Sequence, residues 1–140
     1  MPLAEIARRI ELEDLYTAYA DCLDSDALEA WPGFFTAECR YRITSAENYA
    51  AGLPLGLIYA TSQDMLRDRV SALREANIYE PQVYRHLITG LRIGKEVGGA
   101  LELGASFLVV RTMQDGGWKF ASKIAVLDSR QIDTLLAIPI

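Results

Sequence analysis

The chain has 140 residues, 51% of them hydrophobic and 24% charged, and a formal net charge of −5. That is the composition of one folded domain able to bury a core, and not of a disordered segment. The acidic balance, with no basic cluster, excludes nucleic acid and an anionic membrane surface as main partners, and no run approaches the roughly 18 apolar residues of a membrane-spanning helix.

The opening stretch MPLAEIARRIELEDLY is charged throughout and lacks the apolar centre of a secretory signal, so a cytoplasmic protein is expected. Over Ala4 to Leu23 the period is helical. Ile6, Ile10, Leu15, Tyr19 and Cys22 or Leu23 form the apolar stripe, with Arg8, Glu11, Asp14 and Asp21 on other faces. In DSDALEAWPGFF, Asp24, Ser25 or Asp26 offers an N-cap for a short second helix, which Pro32 and Gly33 end or bend. Trp31, Phe34 and Phe35 anchor this piece. ECRYRIT alternates Cys39, Tyr41 and Ile43 against Arg40, Arg42 and Thr44, the pattern of a half-buried strand. Cys22 and Cys39 are too few for a disulfide framework and read as reduced, buried thiols.

SAENYAAGLPLG reads as a loop and LIYA as a short strand. TSQDMLRDRVSALREAN is the strongest helix: Thr61 or Ser62 caps it, Asp64 sits in its first turn, and Met65, Leu66, Val70 and Leu73 make its apolar stripe. Arg67, Asp68, Arg69, Arg74 and Glu75 form its solvated or interface face. After Pro81, three strands are expected, Val83 to Ile93, Ala100 to Met113 and Trp118 to Leu127, with GKEVGGA and DGG as turns. Trp118 and Phe120 read as core or interface anchors. The apolar tail TLLAIPI must dock on its own domain or on a partner. Helices followed by antiparallel strands give an α+β fold with helices on one face of the sheet, and strong curvature makes a cone with an interior cavity.

Much chemistry is absent. A zinc or iron–sulfur site needs several Cys or His ligands, and a mononuclear non-haem iron site needs two histidines and a carboxylate. This chain has one histidine, His86, and two cysteines. The GG pairs at 98–99 and 116–117 follow no phosphate-loop pattern. A Ser-His-Asp arrangement stays open, although no nucleophile-elbow motif is present.

WPGFFTAECRYRIT, SQDMLRDRVSALREANIYEPQVYRH and DTLLAIPI together resemble the small (β) subunit of bacterial aromatic-ring-hydroxylating dioxygenases, terephthalate-dioxygenase-like, from about Leu12 to the C-terminus. The resemblance implies an α+β, nuclear-transport-factor-2-like (NTF2-like) cone and assembly with a catalytic α subunit as an α3β3 hexamer. It also implies that the Rieske 2Fe-2S cluster and the mononuclear iron lie in that α subunit, with no cofactor or metal in this chain. Electrons would come from NADH through a separate reductase, and the substrate would be an aromatic compound such as an aromatic acid. One departure stands out. In the family, the strand ending near RTMQDG is followed by another strand before the last begins, whereas here MQDG runs directly into GWKFASKIAVLDS. Losing one strand from an antiparallel series reverses the next. The expectation is therefore a segment omitted or disordered at the 116/117 junction of a single 1–140 domain; a rebuilt sheet with a tight turn is the alternative.

His86 lies on the 84, 86, 88, 90, 92 face of its strand. One reading is a partly buried histidine satisfied by a carboxylate or carbonyl, structural or at an interface. The other is an acid/base group at the cone mouth with Tyr16, Tyr41 or Asp24 as partner, as in a stand-alone dehydratase, cyclase or isomerase of this fold. The first reading makes the chain a non-catalytic β subunit that self-associates as a trimer within its complex. A simple ligand-binding domain is a third possibility.

Overall fold

The computed structural model describes residues 1–52, 58–76, 82–113 and 120–124. Helix α1 (Leu3–Asp24) leads into a 3-10 turn (Leu28–Phe34), strand β1 (Glu38–Ile43), a short helix α2 (Ala46–Ala50), strand β2 (Ile58–Ser62) and helix α3 (Gln63–Ala76). Strands β3 (Gln82–Val97), β4 (Ala100–Met113) and β5 (Phe120–Ile124) follow. This is the expected α+β order. The strands form two sheets: β1 pairs antiparallel with β2, and β3, β4 and β5 lie side by side in that order, also antiparallel.

The core sits where the end of α1, the 3-10 turn, β2 and α3 converge. Leu28, Trp31 and Leu66 are completely buried there, with Cys22, Leu23, Ala60 and Val70 around them. Full burial of one such aliphatic side chain is worth about 1.5–3 kcal/mol. Trp31 meets Tyr41 edge to face at 5.1 Å and Phe35 at 5.6 Å, while Tyr19 meets Phe34 at 5.5 Å. The indole N–H of Trp31 donates to the Tyr19 hydroxyl at 3.1 Å, which satisfies the one polar atom of that buried ring. The anchoring expected of Trp31, Phe34 and Phe35 is therefore observed.

Helix α3 follows its sequence signals. Ser62 Oγ accepts from the Met65 N–H at 3.2 Å as the cap, and Leu66 and Val70 carry the buried stripe. Met65 stays exposed, and Thr61 Oγ1 donates to its sulfur at 3.3 Å. Gln63 Nε2 donates to the Pro32 and Phe35 carbonyls at 2.9 and 3.0 Å and ties the helix to the 3-10 turn.

Several local expectations are corrected. The stripe on α1 is core only in its last turns, because Ile6, Ile10 and Leu15 remain 40–52% exposed. The second helix is a 3-10 segment that takes Pro32 inside it, and no side chain caps it. A 3-10 helix this short tolerates proline because few of its amides need partners. SAENYAAG is not all loop: Ser45 Oγ accepts from the Asn48 N–H and starts the five-residue α2. Strand β3 continues to Val97, so only Gly98 and Gly99, at φ +58° and +78°, make the turn. Two successive positive φ values match the right-handed twist of a two-residue hairpin, which is why glycine occupies both. Cys39 is half-buried rather than buried, and both thiols are free.

In β3–β4, His86 faces Val109 and Ile88 faces Phe107, and the register shifts between Thr89 and Arg92. Strand β5 pairs with β4 through Val109 opposite Ile124 and Thr112 opposite Phe120. The connection 114–119, with the 116/117 junction and Trp118, lies outside the described residues, as do the Phe120 side chain and the apolar tail.

Candidate functional site

Helix α1 presents Glu13, Tyr16, Thr17, Ala20, Asp21 and Asp24 at steps of three and one, which places them along one helical face. Opposite them run His86 and Ile88, alternate residues of β3 on the same side of the strand, and then Thr89, Gly90 and Leu91. The shift in register after Thr89, with Gly90 at φ +64°, adds these last residues to the wall. Bulges of this kind commonly re-aim residues beside sites. Between helix and strand lies a half-open crevice of about 560 Å³. The Arg9 guanidinium donates to the Leu91 carbonyl at 3.3 Å and pairs with Glu13 at 3.6 Å, which fixes one end of the helix on the bulge.

Asp24 closes the other end. Its Oδ1 is 2.6 Å from His86 Nδ1, and both carboxylate oxygens accept from the His86 backbone N–H at 3.0 Å. The His86 side chain is 2% exposed and that of Asp24 8%, so this is a buried dyad. Arg85, which is mostly exposed, reaches to 4.0 Å from Asp24 Oδ2. A carboxylate can only accept, so Nδ1 carries the proton of this bond. Nε2 is buried and has no hydrogen-bond partner among the described residues. Tyr84 stacks on the ring at 6.4 Å.

Of the four residues singled out in the sequence, the structure brings His86 and Asp24 into contact and sets Tyr16 on the wall of the same crevice. Tyr41 is elsewhere, packed against Trp31 and Phe35 in the aromatic core and hydrogen-bonded to Tyr19. Burial pushes the Tyr19 hydroxyl above its ordinary pKa, a rise the Trp31 bond partly offsets. Asp24 does not cap the next helix, because its carboxylate is committed to His86. Glu13, Thr17, Asp21 and Thr89 were not singled out; the signal for the first three was their helical spacing with Asp24.

The charged face of α3 is only partly solvated. Arg67 pairs with Asp64 at 2.9 Å in the expected local bridge. Arg69 is half-buried, and loss of water lowers its pKa. Arg74 reaches across 45 and more residues, donating to both Glu29 oxygens at 2.7 and 3.1 Å, to Asp26 Oδ2 at 2.8 Å and to the Asp26 carbonyl at 2.7 Å. Asp26 has φ +60°, and this clamp holds it there. The bond from Arg74 takes the Glu29 carboxyl down to about 2.

Among the described residues, no group of three His, Cys, Asp or Glu could hold a metal ion, and no helix is long and apolar enough to cross a membrane. No protein-family model matches the chain. It is 43% identical to the terminal oxygenase component subunit beta 1 of a terephthalate 1,2-dioxygenase from Comamonas sp., over 94% of this chain and 97% of that one. It is 38% identical to the small subunit of an anthranilate 1,2-dioxygenase from Burkholderia cepacia, over 93% and 92%. The first alignment runs over 152 positions but takes in only 94% of the 140 residues here, so about 20 positions of that relative have no counterpart in this chain. Among solved structures, the β subunit of a protein described as an aromatic-ring-hydroxylating dioxygenase from Novosphingobium aromaticivorans DSM 12444 superposes with a TM-score of 0.77. It is 34% identical, over 99% of this chain and 100% of that one.

Proposed function

The chain belongs to the small (β) subunit family of aromatic-ring-hydroxylating dioxygenases, with the α+β, NTF2-like fold, and on that premise we propose that it scaffolds a catalytic α subunit and does no oxygen chemistry itself. One observation carries this reading: the only histidine in the sequence is bound through Nδ1 to Asp24. A Rieske centre uses two cysteines and two histidines, and a mononuclear iron uses two histidines with a carboxylate. This donor set can build neither, so the 2Fe-2S cluster and the iron belong to the α partner.

The assembly is α3β3, with the β chains in contact as a trimer. The outer face of the β3–β4 sheet supports such contacts. Val83 and Leu87 are 37% and 53% exposed there, with Leu108 opposite Leu87 and Val110 opposite Arg85. Apolar side chains aligned on one sheet face gain most by meeting another apolar surface. The substrate is an aromatic acid, the class named in both curated relatives, and the complex works in the cytoplasm, where NADH feeds its reductase. The omitted segment lies at the 116/117 junction, in keeping with the extra positions of the terephthalate relative.

The test is co-expression with a Rieske-type α subunit, followed by native mass spectrometry and an oxygen-uptake assay on terephthalate and anthranilate. An α3β3 mass, with turnover only when α is present, is expected. Failure to associate with any such α subunit, or turnover by this chain alone, overturns the reading.

A further inference from the structure

A trimer of β chains, on which this inference rests, sets a geometric requirement. Threefold symmetry uses a heterologous contact, in which one patch meets a different patch of the next copy, whereas a patch that meets itself makes a twofold dimer. The outer face of β3–β4 therefore needs a complement elsewhere on the chain. That face carries Val83 and Leu87, with Leu108 opposite Leu87. Its charges are Arg85, which is mostly exposed, and Arg92, whose guanidinium donates to Ser106 Oγ at 3.4 Å. From 83 to 92 and from 104 to 110 the two strands hold no aspartate or glutamate. The face is apolar and positive.

Among the described residues, the large apolar side chains exposed outside that face lie one to an element except on α1. There Leu3, Ile6, Ile10, Asp14, Thr17 and Asp21 follow at steps of three and four and form one row. Leu3, Ile6 and Ile10 are exposed. Asp14 and Asp21 have no salt-bridge partner among the described residues. The helix arginines are engaged off the row, Arg8 with Glu96 and Arg9 with the Leu91 carbonyl. The row is apolar and negative.

We propose that in the trimer the α1 row of one copy packs on the outer β3–β4 face of the next. Its leucine and isoleucines meet Val83, Leu87 and Leu108, and its aspartates lie beside Arg85 and Arg92. The lengths agree, since Leu3 to Asp21 spans about 27 Å of helix and Val83 to Arg92 about 30 Å of strand. Thr17 and Asp21 also line the crevice beside β3, so the row faces sideways along the sheet rather than straight away from it. Patches set at an angle close a ring, whereas patches set back to back stack into a fibre.

The test uses the full-length chain and two variants, Ile10→Asp on the row and Leu87→Asp on the sheet face. Both positions are about half exposed, so the circular dichroism of each variant should match the parent. Light scattering on a sizing column and native mass spectrometry read the assembly. The parent is expected as a trimer and each variant alone as a monomer. Mixed in equal amounts, the two should form a dimer of one chain of each kind and nothing larger, because Ile10→Asp keeps a sound sheet face and Leu87→Asp a sound row. Asp21→Lys should raise the dissociation constant of the trimer about tenfold, which is the scale of one lost charge contact, and Glu38→Lys on β1 should leave it unchanged. A trimer that survives Ile10→Asp, or a mixture that stays monomeric, overturns this interface and leaves the trimer standing. Equal effects of Asp21→Lys and Glu38→Lys overturn the charge match. A parent chain that remains monomeric at about 100 µM, well above the dissociation constant of a stable oligomer, overturns the trimer and this interface together.

Discussion

Replacing Asp24 by alanine should be among the most destabilising polar substitutions in this chain. The carboxylate is 8% exposed and receives two donors, the His86 backbone N–H at 3.0 Å and Nδ1–H at 2.6 Å. Removing it leaves both donors buried without an acceptor, and a hydrogen bond to a charged group is worth about 1.5–3 kcal/mol. Breaking a buried pair from one side costs about 3–5 kcal/mol in comparable cases. For a domain of this size, about 4 °C in Tm per kcal/mol converts that to a fall of roughly 12–20 °C. Asp24→Asn should lose about half as much, because the amide oxygen can still serve one donor. Thermal and urea unfolding followed by circular dichroism measure both, and a double-mutant cycle with His86→Ala isolates the pair. The expected coupling is about 1–3 kcal/mol. A Tm change under about 4 °C for Asp24→Ala, or costs that simply add in the cycle, would mean that the dyad does not hold α1 on β3, and the reasoning fails.

The clamp on Arg74 makes an acid-limb prediction. Glu29 is depressed in the folded state from 4.5 to about 2, so its contribution is present above the unfolded value and disappears as pH falls toward 2. Exposure of the Glu29 side chain screens the effect, so Glu29→Gln and Arg74→Ala should each make Tm fall less steeply between about pH 5 and 2, measured by calorimetry; parallel curves would count against the clamp. Leu66→Ala, at a site with no exposure, should cost about 2–5 kcal/mol by urea titration, while Met65→Ala one position earlier should cost under about 1. Gly99→Ala, at φ +78°, should lower stability by about 1 kcal/mol through strain alone, with the circular dichroism of the folded chain unchanged.

Much of the architecture could be read locally. The α3 boundaries follow from a capping serine and a 3.6-residue period, and the strands from alternation and glycine turns. The aromatic cluster follows from Trp31, Phe34 and Phe35 lying beside a proline. Where local reading went astray, tertiary packing had overridden period. The apolar stripe of α1 predicts burial along the whole helix, yet only its end meets the core and the first turns lie over the far part of β3. The donor set was equally plain in the sequence, because counting one histidine and two cysteines needs no coordinates and removes the metal chemistries that demand more.

The site itself divides between the two sources. Sequence placed His86 on the 84, 86, 88, 90, 92 face of its strand and offered Asp24, Tyr16 and Tyr41 as partners. It also put Glu13, Thr17, Asp21 and Asp24 on one helical face, without indicating that they mattered. Only the folded chain chose among the partners. Asp24 and His86 stand 62 positions apart and Glu29 and Arg74 stand 45 apart, and no periodicity could link either pair. Those pairings exist because α1 and the 3-10 turn pack against β3 and α3, and because a desolvated carboxylate or guanidinium must find its partner among whatever that packing brings near. Backbone conformation is written in neighbouring residues, whereas a buried polar pair is decided by which distant segments share a core.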